Sequence, residues 1–472
     1  MAVRELTYED LNNQQQAAVD DAARWFFSEQ AEKRPYVLQG YAGTGKTTLL
    51  KILIDRLKVR YSQVALAAPT NRAAKVLANK TGLFTSTLHK LIYITVSEEI
   101  NYQRERLRIW DESTSFTQLG QELIILSGQD LEADYRQMCE EADQPFDPEG
   151  YEVFSEDRKD TVLKFEGIEL PENLTDRNAL FDQMRKEKMT AHKKTITDLM
   201  AEDLPTIKKD PVDIALRYRL FLVDEASMVN EIQGRDVISF GVPTILVGDP
   251  FQLLPVKARP FWYNLKPDTL LTRIERQKGP GAGIPLAGEK LRQGGQISGN
   301  ESLNIHPKNS LEDSIWLTTD QIICGTHKTR ERLCRFIRGR LGHNFDHPQV
   351  GEKVVAVYND KGRGIMNGEL YTVMACELRR NGTVCRMTLK DPYDRIIENI
   401  DGWTKGLSGR SSTDFLDDQY GKFWWGYAIT CHQSQGSEWK NIIVCDDWPG
   451  DSHDRWLYTA ITRAATKCDL IQ

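Results

Sequence analysis

The sequence predicts an α/β protein built on parallel sheets, and three observations predict it. Short apolar runs alternate with amphipathic helical patterns in two separate regions, the arrangement that produces strand–helix–strand units. Those runs are four to five residues long and end in Gly, Pro, Thr or Asp, as fully buried strands do. Two stretches break the alternation: residues 98–210 are charged and mainly helical, and residues 350–420 read as short strands with glycine turns.

At 472 residues, the chain has room for about three domains. A hydrophobic content of 40% supports ordinary cores, and no apolar run reaches the ~18 residues of a membrane span. Met1–Asp10 carries acids where a signal peptide needs an apolar centre, so a cytoplasmic protein is expected. The eight cysteines form no C-x-x-C pair, which favours reduced thiols over disulfides or zinc. Net charge is −7, yet residues 98–210 hold 28 acids against 15 bases, about −13, leaving about +6 elsewhere. The low overall charge therefore does not exclude a basic nucleic-acid groove outside that segment.

Leu11 to Phe27 opens the chain as a helix. Gln15 reads as a solvated helix start; ahead of a phosphate loop, its amide could also pair with the donor and acceptor edge of adenine. Next, Tyr36–Gly40 reads as a buried strand, and Gly40–Thr47 fits G-x-x-x-x-G-K-[ST] without a gap. The glycines let backbone amides and the positive end of the following helix, Thr48 to Leu57, face a phosphate. Lys46 would reach the β/γ-phosphates, and the Thr47 hydroxyl would ligate Mg²⁺.

Val64–Ala68 is a second buried strand, and it ends at Pro69-Thr70, where a turn and a new helix could hold a nucleic-acid phosphate. Thr87 and His89 follow; a lone histidine is ordinarily structural. The acidic stretch 98–210, with a helix over Asn178–Met200, reads as an insertion with no site of its own. Arg219–Val223 restores the buried strand and ends in Asp224-Glu225: a first acid for Mg²⁺ and a second to position and deprotonate water. Pro243–Val247 is another strand, beyond which Gln252 could sense a γ-phosphate. Arg276 is placed for charge stabilisation, and Gly279–Pro285 reads as a linker. A second alternating unit starts at Asp320 with a basic helix Lys328–Arg340, gives way to 350–420, and resumes at Trp424. A helix over Asp454–Ala464 presents Arg463, and the last strand is Lys467–Ile471.

These landmarks, in this order, resemble superfamily 1 DNA helicases of the RecD/Dda type, nearest the small phage members. The resemblance rests on the Gln15 region, Gly40–Thr48, Ala68–Leu77 with Thr87-Leu88-His89, Val223–Met228, Val247–Val256, Leu271–Gln277, Tyr427–Glu438 and Leu457–Arg463. It implies two RecA-like phosphate-loop NTPase domains in tandem, at 1–97 with 211–280 and at 281–349 with 421–472. The first would carry the acidic helical insertion 98–210 and the second a small SH3-like β-barrel, 350–420. It implies ATP and Mg²⁺ held by Gly40, Ala42, Gly43, Thr44, Gly45, Lys46, Thr47, Thr48, Asp224 and Gly436. Gln15 would read adenine, Glu225 activate water, Gln252 sense the γ-phosphate, and Arg276 and Arg463 act as arginine fingers. Pro69, Thr70, Thr87, His89, Thr430, His432 and Gln435 would contact single-stranded DNA.

The activity implied is that of an ATP hydrolase translocating 5′→3′ on single-stranded or forked DNA, as a monomer, in a bacterial or phage-infected cytoplasm. A replication or single-strand-binding protein could dock on 98–210. That insertion is far longer than the hairpin this family usually carries there. Two alternatives therefore stay open: a DNA-stimulated translocase or remodeller that does not separate strands, and a nucleotide-switched replication adaptor.

Overall fold

The computed structural model describes residues 6–31, 33–141, 144–165, 168, 174–201, 206–255, 259–275, 281–343, 347–360, 362–408 and 420–472. Two parallel sheets and one antiparallel sheet organise them. The first sheet draws on β1 (Tyr36–Gly40), β2 (Val64–Ala68) and β3 (Thr85–Thr87); β4 (Tyr93–Thr95) and β5 (Thr206–Lys208) form a separate antiparallel ribbon. It is completed by β6 (Leu220–Val223), β7 (Thr244–Gly248) and β8 (Thr269–Leu271), giving the order β3-β2-β6-β7-β1-β8 with every pairing parallel. Both faces are covered, which is why β2, β6 and β7 are buried at every position. Helix Lys46–Leu57 contributes Leu49, Leu50, Leu53, Ile54 and Leu57 to this core, each at most 1% exposed. It begins two residues earlier than its apolar spacing predicts, at Lys46, because Gly45 takes the left-handed φ of 80° that starts it.

The acidic stretch extends from the β4–β5 ribbon as five helices, Val96–Glu112, Phe116–Leu126, Leu131–Glu141, Pro148–Phe165 and Leu174–Ala201. They carry their own apolar core around Trp110, Leu119, Ile124 and Leu163. The last helix has 28 residues, about 42 Å of rise, and packs against Val96–Glu112.

The second parallel sheet starts with β9 (Leu303–His306) and β10 (Gln321–Cys324). The chain then leaves it for the antiparallel sheet: β11 (Lys353–Ala356), β12 (Leu370–Arg379), β13 (Val384–Lys390), β14 (Ile396–Trp403) and β15 (Phe423–Trp425), ordered β14-β13-β12-β11-β15. It returns through β16 (Ala428–Thr430), β17 (Trp439–Cys445) and β18 (Ala464–Ile471), giving β16-β10-β17-β18-β9, again all parallel.

Several sequence expectations need correction here. Trp424 and Trp425 belong to the antiparallel sheet, since Val354 pairs with Trp425 and Val355 with Trp424. The presumed linker ends in a helix, Gly283–Arg292, whose first residues are buried; Gly283 leaves no room for a side chain because Asn300 packs against it. Strand β9 escapes notice in the sequence. The helix before β18 spans His453–Ile461, so Arg463 lies just beyond its end, and β18 starts at Ala464 rather than Lys467. No helix among the described residues is long and apolar enough to cross a membrane.

Candidate functional site

The site is assembled where β1 and β6 end. Gly43 and Gly45, at φ of 82° and 80°, bend the loop between β1 and the helix Lys46–Leu57. Any other residue at either position would be strained. Lys46 Nζ curls back to the carbonyls of Gly40 (2.7 Å) and Tyr41 (3.0 Å). A Cβ at Gly40 would lie 2.7 Å from Thr44 Oγ1, so the loop closes only on glycine there. Thr48 flanks Lys46 and Thr47 on the cleft wall.

At the end of β6, the Thr47 hydroxyl lies 3.4 Å from Asp224 Oδ2. Burial raises the Asp224 carboxyl above its ordinary pKa, against a hydrogen bond from the Glu225 amide and the charge of Lys46. Glu225 has a left-handed φ of 53° and a buried Oε2 without a partner. Burial and then Asp224 raise its pKa, while Arg463 and Lys46 oppose the rise. Gln252 is likewise buried, its Oε1 unpartnered.

Across the cleft, Arg463 is 6% exposed and donates to the carbonyls of Thr459 and Ser437, both at 3.2 Å. Ala42, Gly43, Gly45, Lys46, Thr47, Thr48, Asp224, Glu225 and Gln252 face Gly436 and Arg463 around one cavity of about 600 Å³. The donor set fits a hard cation and a triphosphate. Thr47 and Asp224 offer oxygen only, and two buried acceptors, Glu225 Oε2 and Gln252 Oε1, aim at groups the protein does not supply.

Other predicted residues do different work. Gln15 is buried behind the loop: its Nε2 donates to the Thr44 carbonyl (3.1 Å) and its Oε1 accepts from the Asn12 amide (3.1 Å). In this conformation it braces the loop and caps its own helix, and it stays outside the cleft lining. Gln435 was expected to face DNA, but it is 3% exposed and donates across to the Leu253 carbonyl (3.3 Å), tying the second sheet to the first. Arg276 lies outside the described residues.

Pro69, Thr70 and Thr87 end the neighbouring strands β2 and β3, with Ala68 in register with Thr87. The hydroxyls of Thr70, Thr87 and Thr430 each accept an amide at the start of the next helix. His89 is exposed and lies against the Tyr93 ring at a tilt of 52°, while His432 packs against Trp448. Thr326 caps the helix His327–Arg340 at the end of β10, beside Thr430, and was not singled out from the sequence. A threonine closing a strand and opening a helix, as at positions 70, 87 and 430, is the signal that would have found it.

Fold and cleft together define a phosphate-loop α/β protein whose site is shared between two parallel sheets. The family model described as an AAA domain matches residues 24–258, and that of the UvrD-like helicase C-terminal domain matches 426–471. Over parts of its length the chain is similar to helicases of the RecD/Dda type. It is 31% identical over 106 residues to the ATP-dependent DNA helicase Dda of Enterobacteria phage T4, covering 22% of this chain and 24% of that protein. It is 38% identical over 284 residues to the ATP-dependent RecD2 DNA helicase of Deinococcus radiodurans, covering 52% of this chain and 35% of that one. The chain thus spans about a quarter to a third of the length of these relatives. Among solved structures, a Pif1 helicase studied at forked double-stranded DNA gives a TM-score of 0.49 at 18% identity, over 98% of this chain and 91% of that one. Bacteroides Pif1 bound to single-stranded DNA gives 0.48 at 17%, over 98% and 92%.

Proposed function

We propose that this protein is an ATP-driven motor that moves 5′→3′ along single-stranded DNA and separates forked duplexes. The observation that carries the reading is Arg463: a cation contributed after the second sheet's last helix lines the same cavity as Lys46, Asp224 and Glu225. In this reading Lys46 and the loop amides bind the phosphates of ATP, while Thr47 and Asp224 hold Mg²⁺, which supplies charge neutralisation on the phosphates. Glu225 takes the proton of the attacking water, and Gln252 contacts the γ-phosphate. Arg463 stabilises charge in transfer, and a finger of this kind is worth ~10³–10⁵ in rate. Because it comes from the other half, turnover requires closure, and alternating closure and release moves the two halves along the strand.

In this reading the DNA phosphates meet the helix starts at Thr70, Thr87, Thr326 and Thr430, whose hydroxyls cap those helices. The names of the two curated relatives support ATP and DNA as substrates; the polarity rests on the family type. In domain terms, the first parallel sheet belongs to one RecA-like motor and the second to another. The five helices are an accessory unit and the surface left for a protein partner. The antiparallel sheet is SH3-like.

A second reading is favoured by one observation. The β4–β5 ribbon continues into five helices rather than closing as a hairpin, so a translocase that does not separate strands fits the same cleft. ATP turnover measured with and without single-stranded DNA tests the motor: stimulation is expected, and its absence sinks it. Strand release from a 5′-tailed fork then separates the two readings.

A further inference from the structure

The second half of the protein touches the phosphate loop at two residues that have nothing to do with Arg463. Tyr458, on the helix His453–Ile461, accepts a hydrogen bond from the Ala42 amide at 2.9 Å and donates to Asp249 Oδ2 at 2.7 Å. Arg292, at the end of the helix Gly283–Arg292, lies over the Tyr41 ring with its guanidinium carbon 3.6 Å from the centroid. The same guanidinium is 5.9 Å from the Tyr458 ring.

Tyr458 is held on every side. The Phe251 ring meets it edge-on at 5.2 Å, and a Cβ on Gly288 would come to 3.0 Å from its ring, so a side chain there would press on Tyr458. Asp249 is fully buried, and its other oxygen accepts the Phe251 amide at 2.9 Å. Tyr458 therefore meets two first-half partners at once, a loop amide and a buried carboxylate.

We infer that Tyr458, with Arg292 beside it, is a positioning residue that holds the phosphate loop in its nucleotide-binding shape only while the two halves are closed. The inference rests on the reading of this cleft as an ATP site and adds a route by which closure acts on affinity. The Ala42 amide precedes the left-handed Gly43 and Gly45, and its hydrogen goes to Tyr458 rather than into the cleft. If the halves part, that amide loses its acceptor, Tyr41 loses its guanidinium, and the loop loosens. Arg463 would then govern turnover, while Tyr458 governs how tightly the loop grips.

The test is Tyr458→Phe in the full chain, which keeps the ring against Phe251 and Gly288 and removes only the hydroxyl. Binding of the N-methylanthraniloyl derivative of ATP, followed by fluorescence with Mg²⁺ present, should weaken at least ten-fold. Steady-state turnover should show the change in KM for ATP more than in kcat, the opposite of what Arg463→Lys should do. Nucleotide affinity unchanged or tightened in a folded Tyr458→Phe protein overturns the inference. If that variant does not fold, Arg292→Ala decides: weaker binding supports the inference, and unchanged binding overturns it. Because the readout is nucleotide binding, the result stands even if DNA fails to stimulate turnover, which would count against the motor alone.

Discussion

Glu225 combines an unfavourable backbone with an unsatisfied side chain. A left-handed φ at a residue that is not glycine costs on the order of 1–3 kcal/mol and persists only where the surroundings impose it. Here it follows Asp224 directly, after β6, and its Oε2 lies buried without a partner. Glu225→Gln keeps the shape and removes the base, so ATP turnover should fall by about 10²–10⁴ while nucleotide binding persists, as single-turnover and binding measurements would show.

The same substitution has a stability consequence with a definite sign. A carboxyl whose pKa is raised in the folded state binds its proton more tightly there, so its contribution to stability declines as pH rises through that window. Nucleotide-free Glu225→Gln should therefore melt at a higher temperature than the parent at pH 8; a lower one would contradict the burial argument. That Lys46, Thr47 and Asp224 share one cleft was legible at this scale, because each sits at a set spacing from a strand end. The Gln435 bond to Leu253 was not legible, because nothing in its neighbours' identities says that a carbonyl far away in the chain would accept from its amide.

Among elements, the junction between the second parallel sheet and the antiparallel sheet depends on one buried ion pair. Arg338 Nε lies 2.7 Å from Glu352 Oε1, and both side chains are 0% exposed. The guanidinium stacks 3.6 Å over the Trp425 ring, and Glu352 also accepts from the Gln349 amide and the Tyr427 hydroxyl. Glu352→Ala leaves a buried cation without its carboxylate and should cost about 3–5 kcal/mol, measurable by denaturant unfolding.

The helical insertion carries a pH-dependent contact. His192 Nδ1 lies 2.6 Å from Gln103 Oε1 between two long helices, and burial, with Arg106 beside it, pushes its pKa down to about 4. The unfolded chain binds this proton from about 6.5 and the folded chain resists it, so stability should fall as pH drops between those values. The loss is up to about 3 kcal/mol at about 1.4 per unit, and melts from pH 7 to 4.5 would check it. His192→Gln should flatten that dependence. The buried parallel strands were legible as apolar runs; β15 was not, because Phe423–Trp425 is equally apolar whether it joins a parallel or an antiparallel sheet. Its pairing with β11 decided.

On the scale of the whole molecule, the antiparallel sheet also reaches the first half. Lys75 Nζ lies 2.6 Å from Glu369 and 3.0 Å from Asp391, with the Tyr393 ring 4.4 Å away. Both carboxylates are nearly buried while Lys75 is 22% exposed, so this contact can open where Arg338–Glu352 does not. Lys75→Ala should loosen the closed arrangement, seen as faster proteolysis between the halves and a weaker DNA stimulation of turnover. Unchanged cleavage would show that the clasp does not hold the halves.

By itself the sequence determined the local chemistry: buried apolar strands, the glycine loop, the carboxylates after β6 and the acidic helical stretch, since each depends only on neighbours a few residues apart. The tertiary structure alone decided which distant groups share a boundary. It brought Tyr458 to the loop amide and Gln435 to Leu253, because such contacts are set by how two sheets pack, and no spacing along the chain encodes that; Arg463 at the cleft was expected only from the family resemblance.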